Sequence, residues 1–203
     1  MHPALIILAA VGTAVFAISG ALLGLRKQMD IVGIWFVAVV TGVGGGTIRD
    51  LLLGEVPVRW VTNPRDVVIC LVCGLIVALL NRPLQGRRLR WLLYADAAGM
   101  SLFTVLGASI ALSADAHPLA AILFGAMSAS FGGVIRDVMC NDTPVLFQKD
   151  LYVTPALLGA AVFVIPSEYL DFELRVVLGV AAALVLRLLA ILFSWSLPFP
   201  RYR

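Results

Sequence analysis

Hydrophobic residues along the chain form seven long runs, which short polar segments separate. A helix needs about 20 apolar residues to cross the hydrocarbon core of a bilayer. Each run reaches or approaches that length, so the pattern predicts seven membrane-spanning helices. Their bounds are about 4–25, 31–53, 66–80, 91–112, 119–140, 152–165 and 174–193.

Two of these runs, the second and the fifth, end in related motifs. The first motif reads TGVGGGTIRD at positions 41–50, and the second reads SASFGGVIRD at positions 128–137. A shift of 87 residues aligns the motifs and also aligns other glycines, aromatic residues and prolines of the two halves. The aligned pairs include Gly12 with Gly99, Phe16 with Phe103, and Pro57 with Pro144.

The aligned halves form an internal repeat of three predicted spans each. Three is an odd number, so the second copy must enter the membrane from the opposite side. The sequence therefore predicts an all-α integral membrane protein built as a 3+3 inverted repeat with a C-terminal seventh helix. We expect one membrane domain over residues 1–203, with repeat one at about 4–80, a linker at 81–90, repeat two at about 91–166 and the seventh helix at about 174–195.

The composition supports a membrane protein and excludes other classes. Of 203 residues, 61% are hydrophobic and 13% are charged, whereas a soluble domain is about one quarter charged. The net charge of +3 comes from short basic loops, so we expect no nucleic-acid partner. Loop charges predict a multi-pass protein of the cell inner membrane, with the N-terminus outside and the C-terminus cytoplasmic. The sequence has no phosphate-binding loop or His-rich cluster, and we predict neither enzymatic activity nor a cofactor.

The two glycine motifs are the strongest candidates for a functional site. Adjacent glycines weaken a helix by about 1 kcal/mol each relative to alanine, so we predict that the second and fifth helices bend or open there. An opened helix is tolerated in a bilayer only where its backbone meets protein or a watery path. Close helix packing is the alternative interpretation. The glycines concerned are Gly44, Gly45, Gly46, Gly132 and Gly133.

Charged residues follow each motif and also interrupt the fourth run. Arg49-Asp50 and Arg136-Asp137 come three or four residues after the glycines, and Asp96 lies inside the fourth run. A charge at the bilayer centre costs at least about 2.5–3.5 kcal/mol, so these groups must be paired or hydrated. We expect Asp96 to pair with one of the two arginines. Structural pairing and a role in a solute pathway both remain open.

Hydroxyl side chains flank the motifs at Thr41, Thr47, Ser128 and Ser130. Their oxygen atoms are candidate ligands for a cation. Hydrogen bonding back to the preceding helical turn is an equally good interpretation. Arg187 interrupts the seventh run near its end, where its side chain is expected to reach toward the membrane surface.

The doubled motif, with Pro57 and Pro144 after its two copies, resembles that of the prokaryotic trimeric intracellular cation (TRIC) channels. This family overlaps a bacterial membrane family also labelled glycine transporter. The resemblance covers essentially the whole chain and implies a homotrimer in the lipid bilayer. It also implies one pore in each protomer for monovalent cations, mainly potassium. That pore would be lined by the second and fifth helices, kinked at Gly44, Gly45 and Gly46 and at Gly132 and Gly133.

The second motif departs from the triple glycine, because Phe131 replaces the first glycine. Phe131 is therefore expected to narrow the path or to act as a hydrophobic gate. Two other functions stay open on the residues alone. Inverted repeats with broken helices also suit a carrier for glycine or another small zwitterion, and a membrane scaffold would need no pathway. The family resemblance favours the channel.

Overall fold

The computed structural model describes residues 2–80 and 88–196. Within them the chain forms seven long α-helices and one helix of a single turn at Arg59–Thr62. All seven long helices lie within three residues of the predicted runs. Their bounds are α1 Pro3–Arg26, α2 Ile31–Leu52, α3 Arg65–Leu79, α4 Arg88–Ser113, α5 Pro118–Met139, α6 Val153–Val164 and α7 Phe172–Phe193.

Five of these helices, α1, α2, α4, α5 and α7, are long and apolar enough to cross a membrane. The other two are shorter, with 15 residues in α3 and 12 in α6, which correspond to about 22 and 18 Å at a rise of about 1.5 Å per residue. The protein is therefore an all-helical integral membrane protein. Most of the predicted linker, at 81–87, lies outside the described residues. The α4 helix begins at Arg88, three residues before the predicted start of the fourth run.

Helix ends in the two halves have matching local structure. Gln28 and Asp115, which the shift of 87 aligns, both adopt a positive φ of 57° after α1 and α4. Gly54 after α2 and its partner Asn141 after α5 also lie in the left-handed region. Glycine and asparagine are the residues that adopt this conformation most readily, and it closes a helix by pairing its last carbonyl groups. The same turn thus ends α2 and α5, four residues after each Arg-Asp pair.

The helices pack as two groups, with α1, α2 and α3 in one and α4, α5 and α6 in the other. Contacts of α1 with α4 and of α2 with α5 join the groups, and α7 packs outside them on α4 and α6. A Cβ atom at Gly12 would lie 2.8 Å from Phe103, and one at Gly99 would lie 2.6 Å from Phe16. These contacts are reciprocal and antiparallel, as expected for two halves related by a two-fold axis.

Both glycine motifs lie inside continuous helices. The α-helix runs without interruption through Gly44–Gly46 in α2 and through Gly132–Gly133 in α5. The predicted opening of the backbone at these glycines is not confirmed. An opened turn would leave amide and carbonyl groups unpaired at membrane depth, and each such group costs several kcal/mol. That cost exceeds the weak helix propensity of a few glycines.

Candidate functional site

The α2 and α5 helices cross so closely at the glycine motifs that backbone touches backbone. A Cβ atom at Gly132 would lie 2.5 Å from the carbonyl oxygen of Thr41. A Cβ atom at Gly45 would overlap the carbonyl oxygen of Ser128 and would lie 3.2 Å from the Gly132 nitrogen. Close packing, the alternative interpretation of the motifs, therefore accounts for Gly45 and Gly132.

The remaining motif glycines have different neighbours. A Cβ atom at Gly44 would lie 2.9 Å from the end of the Ile135 side chain. At Gly46 the nearest atom would be Nη2 of Arg49, at 3.4 Å. Gly46 is thus the motif glycine with the most free space beside it, and a larger side chain there would project toward the Arg49 guanidinium.

At the end of α2, Arg49 and its neighbour Asp50 are both buried and form a salt bridge. Nε and Nη2 of Arg49 donate to Oδ1 of Asp50 at 3.0 and 2.7 Å. Nη1 of Arg49 donates across the helix crossing to the Ser128 hydroxyl at 3.3 Å. The second carboxylate oxygen of Asp50 accepts the backbone N–H of Arg59 at 3.4 Å. The pair therefore joins α2 to α5 and to the loop after α2.

At the end of α5, Arg136 is fully buried and has a larger set of partners. Its Nε donates to Asp137 at 2.8 Å, as Arg49 does to its neighbour. Its Nη1 donates to Asp96 and to Ser19, each at 2.6 Å. The second oxygen of Asp137 accepts the backbone N–H of Val145 at 3.2 Å. Arg136 thus connects α5 to α4, to α1 and to the loop after α5.

Two cavities lead to these pairs from opposite ends of the bundle. The Arg49 cavity, of about 290 Å³, is lined by residues 6–13 of α1 and by residues 103–110 of α4. The Arg136 cavity, of about 440 Å³, is lined by residues 23–26 of α1 and by residues 89–93 of α4. Because the cavities contact opposite ends of the same two helices, the α2–α5 crossing lies between them.

The two cavities differ in the net charge of the described residues that line them. The Arg49 cavity has three arginines, Arg49, Arg59 and Arg65, and two aspartates, Asp50 and Asp66. Among the described residues, the Arg136 cavity has two arginines, Arg26 and Arg136, and three aspartates, Asp137, Asp142 and Asp150. The described lining of the second cavity is therefore more favourable to a cation than that of the first.

The four candidate hydroxyl groups already have partners inside the protein. Thr41, Thr47 and Ser130 donate to the carbonyl oxygens four residues earlier, at 2.6, 2.8 and 2.7 Å. Ser128 instead accepts from Arg49. Each hydroxyl oxygen retains acceptor capacity, which at Thr47 is used by the Trp60 indole at 2.9 Å. The bonds back to the preceding turn match the alternative interpretation for three of the four residues.

The structure also places residues that sequence reasoning missed. Ser19 and Tyr152 contribute to the Arg136 region, and no motif pointed to either of them. Arg187, which was expected to reach the membrane surface, is instead buried, with 1% of its surface exposed. Phe131 lies half-buried on α5, and the two cavities are lined by other residues.

These features define a helical integral membrane protein whose polar residues are gathered inside the bundle. A family model described as glycine transporter matches the chain twice, at residues 6–82 and 93–168, in agreement with the internal repeat. The chain belongs to the prokaryotic TRIC family, which overlaps this bacterial membrane family.

Relatives of known sequence span nearly the whole chain. The UPF0126 inner membrane protein YadS of Escherichia coli strain K12 is 39% identical over 198 residues, covering 95% of this chain and 93% of the relative. The UPF0126 membrane protein YvgT of Bacillus subtilis strain 168 is 32% identical over 199 residues, covering 97% and 96%. Similarity therefore extends over the complete bundle.

Solved structures give the same result. The TRIC trimeric intracellular cation channel orthologue from Rhodobacter sphaeroides has a TM-score of 0.92 and 41% identity, covering 96% of this chain and all of the other. A prokaryotic TRIC channel crystallised in 0.5 M KCl has a TM-score of 0.91 and 32% identity, covering 97% of this chain and all of the other. The structural neighbours are thus cation channels.

Proposed function

We propose that this protein is a potassium-permeable cation channel with one pore in each protomer, lined by α2 and α5. The solved structures that resemble it are described as TRIC cation channels. The proposal includes a homotrimer, as the Rhodobacter sphaeroides orthologue is described, embedded in the lipids of the inner membrane with its N-terminus outside. It also includes the inverted arrangement of the two three-helix repeats.

One observation carries the proposal most directly. The Arg49 and Arg136 cavities approach the same crossing of α2 and α5 from opposite ends of the bundle. At that crossing, Gly45 and Gly132 contact the facing backbone and Arg49 bonds to Ser128. A small separation of the two helices would join the cavities into a continuous path, so the described conformation corresponds to a closed pore.

Oxygen atoms at the crossing are suited to a potassium ion. The carbonyl oxygens of Thr41 and Ser128 lie against Gly132 and Gly45 of the opposite helix rather than against a side chain. Rings of such carbonyls replace part of the hydration shell of a passing ion. In the proposed pore, bending of α2 and α5 at Gly44–Gly46 and Gly132–Gly133 would turn these oxygens toward the path, with Thr47 and Ser130 beside them. Phe131 is the proposed hydrophobic gate.

The aspartates make a cation pore compatible with two buried arginines. Asp50 neutralises Arg49, and Asp96 with Asp137 outweigh the charge of Arg136. Without these carboxylates, two positive charges beside the path would repel potassium strongly at the low dielectric of a membrane protein.

The first experiment is single-channel recording of the purified protein in a planar bilayer with a potassium gradient. Discrete steps that reverse near the potassium equilibrium potential are expected. Gly46→Leu should abolish them, because its side chain enters the space beside Arg49. Gly133→Leu should do the same, but it also meets the Tyr152 hydroxyl. Val32→Leu, on the exposed face of α2, is the matched control and should conduct normally.

Chemical crosslinking and size-exclusion chromatography should find each variant assembled as a trimer. Wild-type currents from trimeric Gly46→Leu would rule out the assignment of the pore to α2 and α5. The family description as glycine transporter favours one second candidate, a carrier for a small zwitterion. A silent bilayer together with saturable glycine counterflow in liposomes would establish the carrier instead.

A further inference from the structure

One face of α7 is buried, and its residues follow a helical spacing. All of them except Arg187 are apolar, and Arg187 lies one turn after Ala183 on the same stripe. A Cβ atom at Gly179 would lie 2.9 Å from the Gly159 carbonyl oxygen, so α7 packs tightly on α6 and holds the stripe in place. The stripe consists of Val176, Gly179, Ala183, Arg187 and Ala190.

A buried arginine on such a face needs a specific reason, because an unpaired charge at membrane depth is costly. Nη1 of Arg187 donates to the carbonyl oxygen of Leu151 at 2.7 Å. The guanidinium carbon lies 4.9 Å from the centre of the Tyr152 ring, a cation–π contact. Within residues 2–80 and 88–196, Arg187 makes no ion pair with a carboxylate, and its Nε and Nη2 have no hydrogen-bond partner. The arginine therefore acts on the Leu151–Tyr152 turn that begins α6.

Tyr152 extends from this turn to the Arg136 network. Its ring is buried, and its hydroxyl oxygen would lie 2.7 Å from a Cβ atom at Gly133. That Cβ position at Gly133 would also lie 3.2 Å from Oδ1 of Asp96 and 3.5 Å from Nη2 of Arg136. Tyr152 Oη, Asp96 Oδ2 and Arg136 Nη2 are all buried and without hydrogen-bond partners among the described residues. The position of the Tyr152 ring thus determines how close its hydroxyl lies to Asp96 and Arg136.

We propose that Arg187 is a positioning residue through which α7 sets the geometry of the Asp96–Arg136 network and thereby the opening of the pore. The proposal rests on the channel function proposed above. The proposed effect of Arg187 is confined to the Arg136 end of the bundle, because α7 follows the second repeat and the first repeat has no such helix. The residue aligned with Tyr152 in the first repeat is Arg65, which faces the Arg49 cavity.

The direction of the effect follows from the contacts. Arg136 holds α5 to α1 through Ser19 and to α4 through Asp96. Tyr152 lies against this junction, so loss of its support should loosen α5 and favour separation of α2 from α5. We therefore expect a higher open probability when Arg187 is neutralised, with the conductance of the open pore unchanged, because Arg187 does not line either cavity.

The test is planar-bilayer recording of wild type, Arg187→Met, Arg187→Lys, Tyr152→Phe and the double variant Arg187→Met/Tyr152→Phe. Arg187→Met should raise the open probability at least threefold and change the unit conductance by less than twofold. Arg187→Lys keeps the cation and one donor, so it should remain within twofold of wild type. The double variant should resemble Tyr152→Phe alone, because in the proposal Arg187 reaches the Asp96–Arg136 network only through the Tyr152 side chain, whose hydroxyl lies beside that network.

Arg175 provides a matched control on the same helix. It also donates to a backbone carbonyl, that of Phe163 at 3.4 Å, and its guanidinium lies over the Phe163 ring at 5.2 Å. Arg175→Met should weaken the packing of α6 and α7 without changing the open probability by more than twofold. An equal change in Arg175→Met and Arg187→Met would overturn the proposal, as would a fall or no change in Arg187→Met.

Hydrogen–deuterium exchange separates this inference from the channel proposal. Arg187→Met should speed exchange several-fold in peptides that cover residues 145–153, whereas Arg175→Met should not. If the wild-type protein gives no current in the bilayer, the channel proposal is wrong. The exchange experiment would then still decide whether Arg187 positions the turn. If Arg187→Met does not assemble, wild-type gating in Tyr152→Phe overturns the proposal and a raised open probability supports it.

Discussion

At the end of α2, Arg49 has one carboxylate partner, whereas at the end of α5, Arg136 has two. Both arginines donate from Nε to the aspartate that follows them, and both aspartates accept a backbone N–H from the next loop. The residue aligned with Asp96 is Ala9, which lines the Arg49 cavity and has no charge. The two ends therefore share a common frame but differ in their electrostatics.

Comparing the two ends separates the contacts that both halves share from those found in one half. The hydrogen bond from each arginine to the following aspartate and the left-handed turn after it both occur twice, so they are part of how each helix ends. Asp96, Ser19 and Tyr152 occur only around Arg136. In the proposed channel, the repeated part builds the two cavities and the unrepeated part makes their contributions to ion passage unequal.

The largest expected effect is on stability and separates the two arginines. Arg136→Met would leave Asp96 and Asp137 buried without their cation, whereas Arg49→Met would leave only Asp50, which still accepts from Arg59. Removing one partner of a buried pair costs about 3–5 kcal/mol. Thermal unfolding followed by size-exclusion chromatography should show a drop of the midpoint for both variants, with the larger drop for Arg136→Met. Equal drops would contradict the distinction between the two sites.

An intermediate effect is expected on current rectification. Asp96→Asn removes one negative charge from the Arg136 end, and Ala9→Asp adds one at the aligned position of the Arg49 end. A unit charge about 10 Å from the path changes the energy of a cation by about 1.7 kcal/mol at an effective dielectric constant of about 20. Both variants should therefore shift the ratio of currents at opposite voltages several-fold and in the same direction. Shifts in opposite directions would refute the electrostatic account.

The smallest effect is expected from the Lys27–Asp142 ion pair at the Arg136 end. Lys27 Nζ lies 2.5 Å from Asp142, and both side chains are about one third exposed, at 31% and 32%. Exposed pairs contribute about 0–1 kcal/mol and are screened by salt. Lys27→Met should lower the unfolding midpoint only slightly, and this difference should disappear at about 1 M salt. A change as large as that of Arg49→Met would give this surface pair an unexpected structural role.

The helices could be predicted from the sequence because the bilayer sets a strict length for an apolar run. The pairing of Asp96 with one of the two arginines also followed from the cost of a lone charge in the membrane, and Arg136 is its partner. The repeat could be seen directly, because glycines, prolines and charges match more specifically than apolar residues do.

Other features of the site could not be predicted. The continuous helices at the glycine motifs do not confirm the opening expected from helix propensity, because backbone hydrogen bonds outweigh a propensity term in a membrane. Ser19 is 117 residues away from Arg136, and a lone serine in an apolar span has no signal that names its partner. Arg187 lies near the end of its run, so its hydropathy profile alone could not distinguish a buried arginine from one that reaches the surface.

The backbone contact between α2 and α5 has a consequence for kinetics. At Gly45 and Gly132 the proposed pore is closed by main-chain atoms, so rotation of a side chain such as Phe131 cannot by itself clear the path at that point. Rotamer changes take picoseconds to nanoseconds, whereas shifts of whole helices take about microseconds to milliseconds. Opening events should therefore be long enough to appear as separate, square steps in a recording.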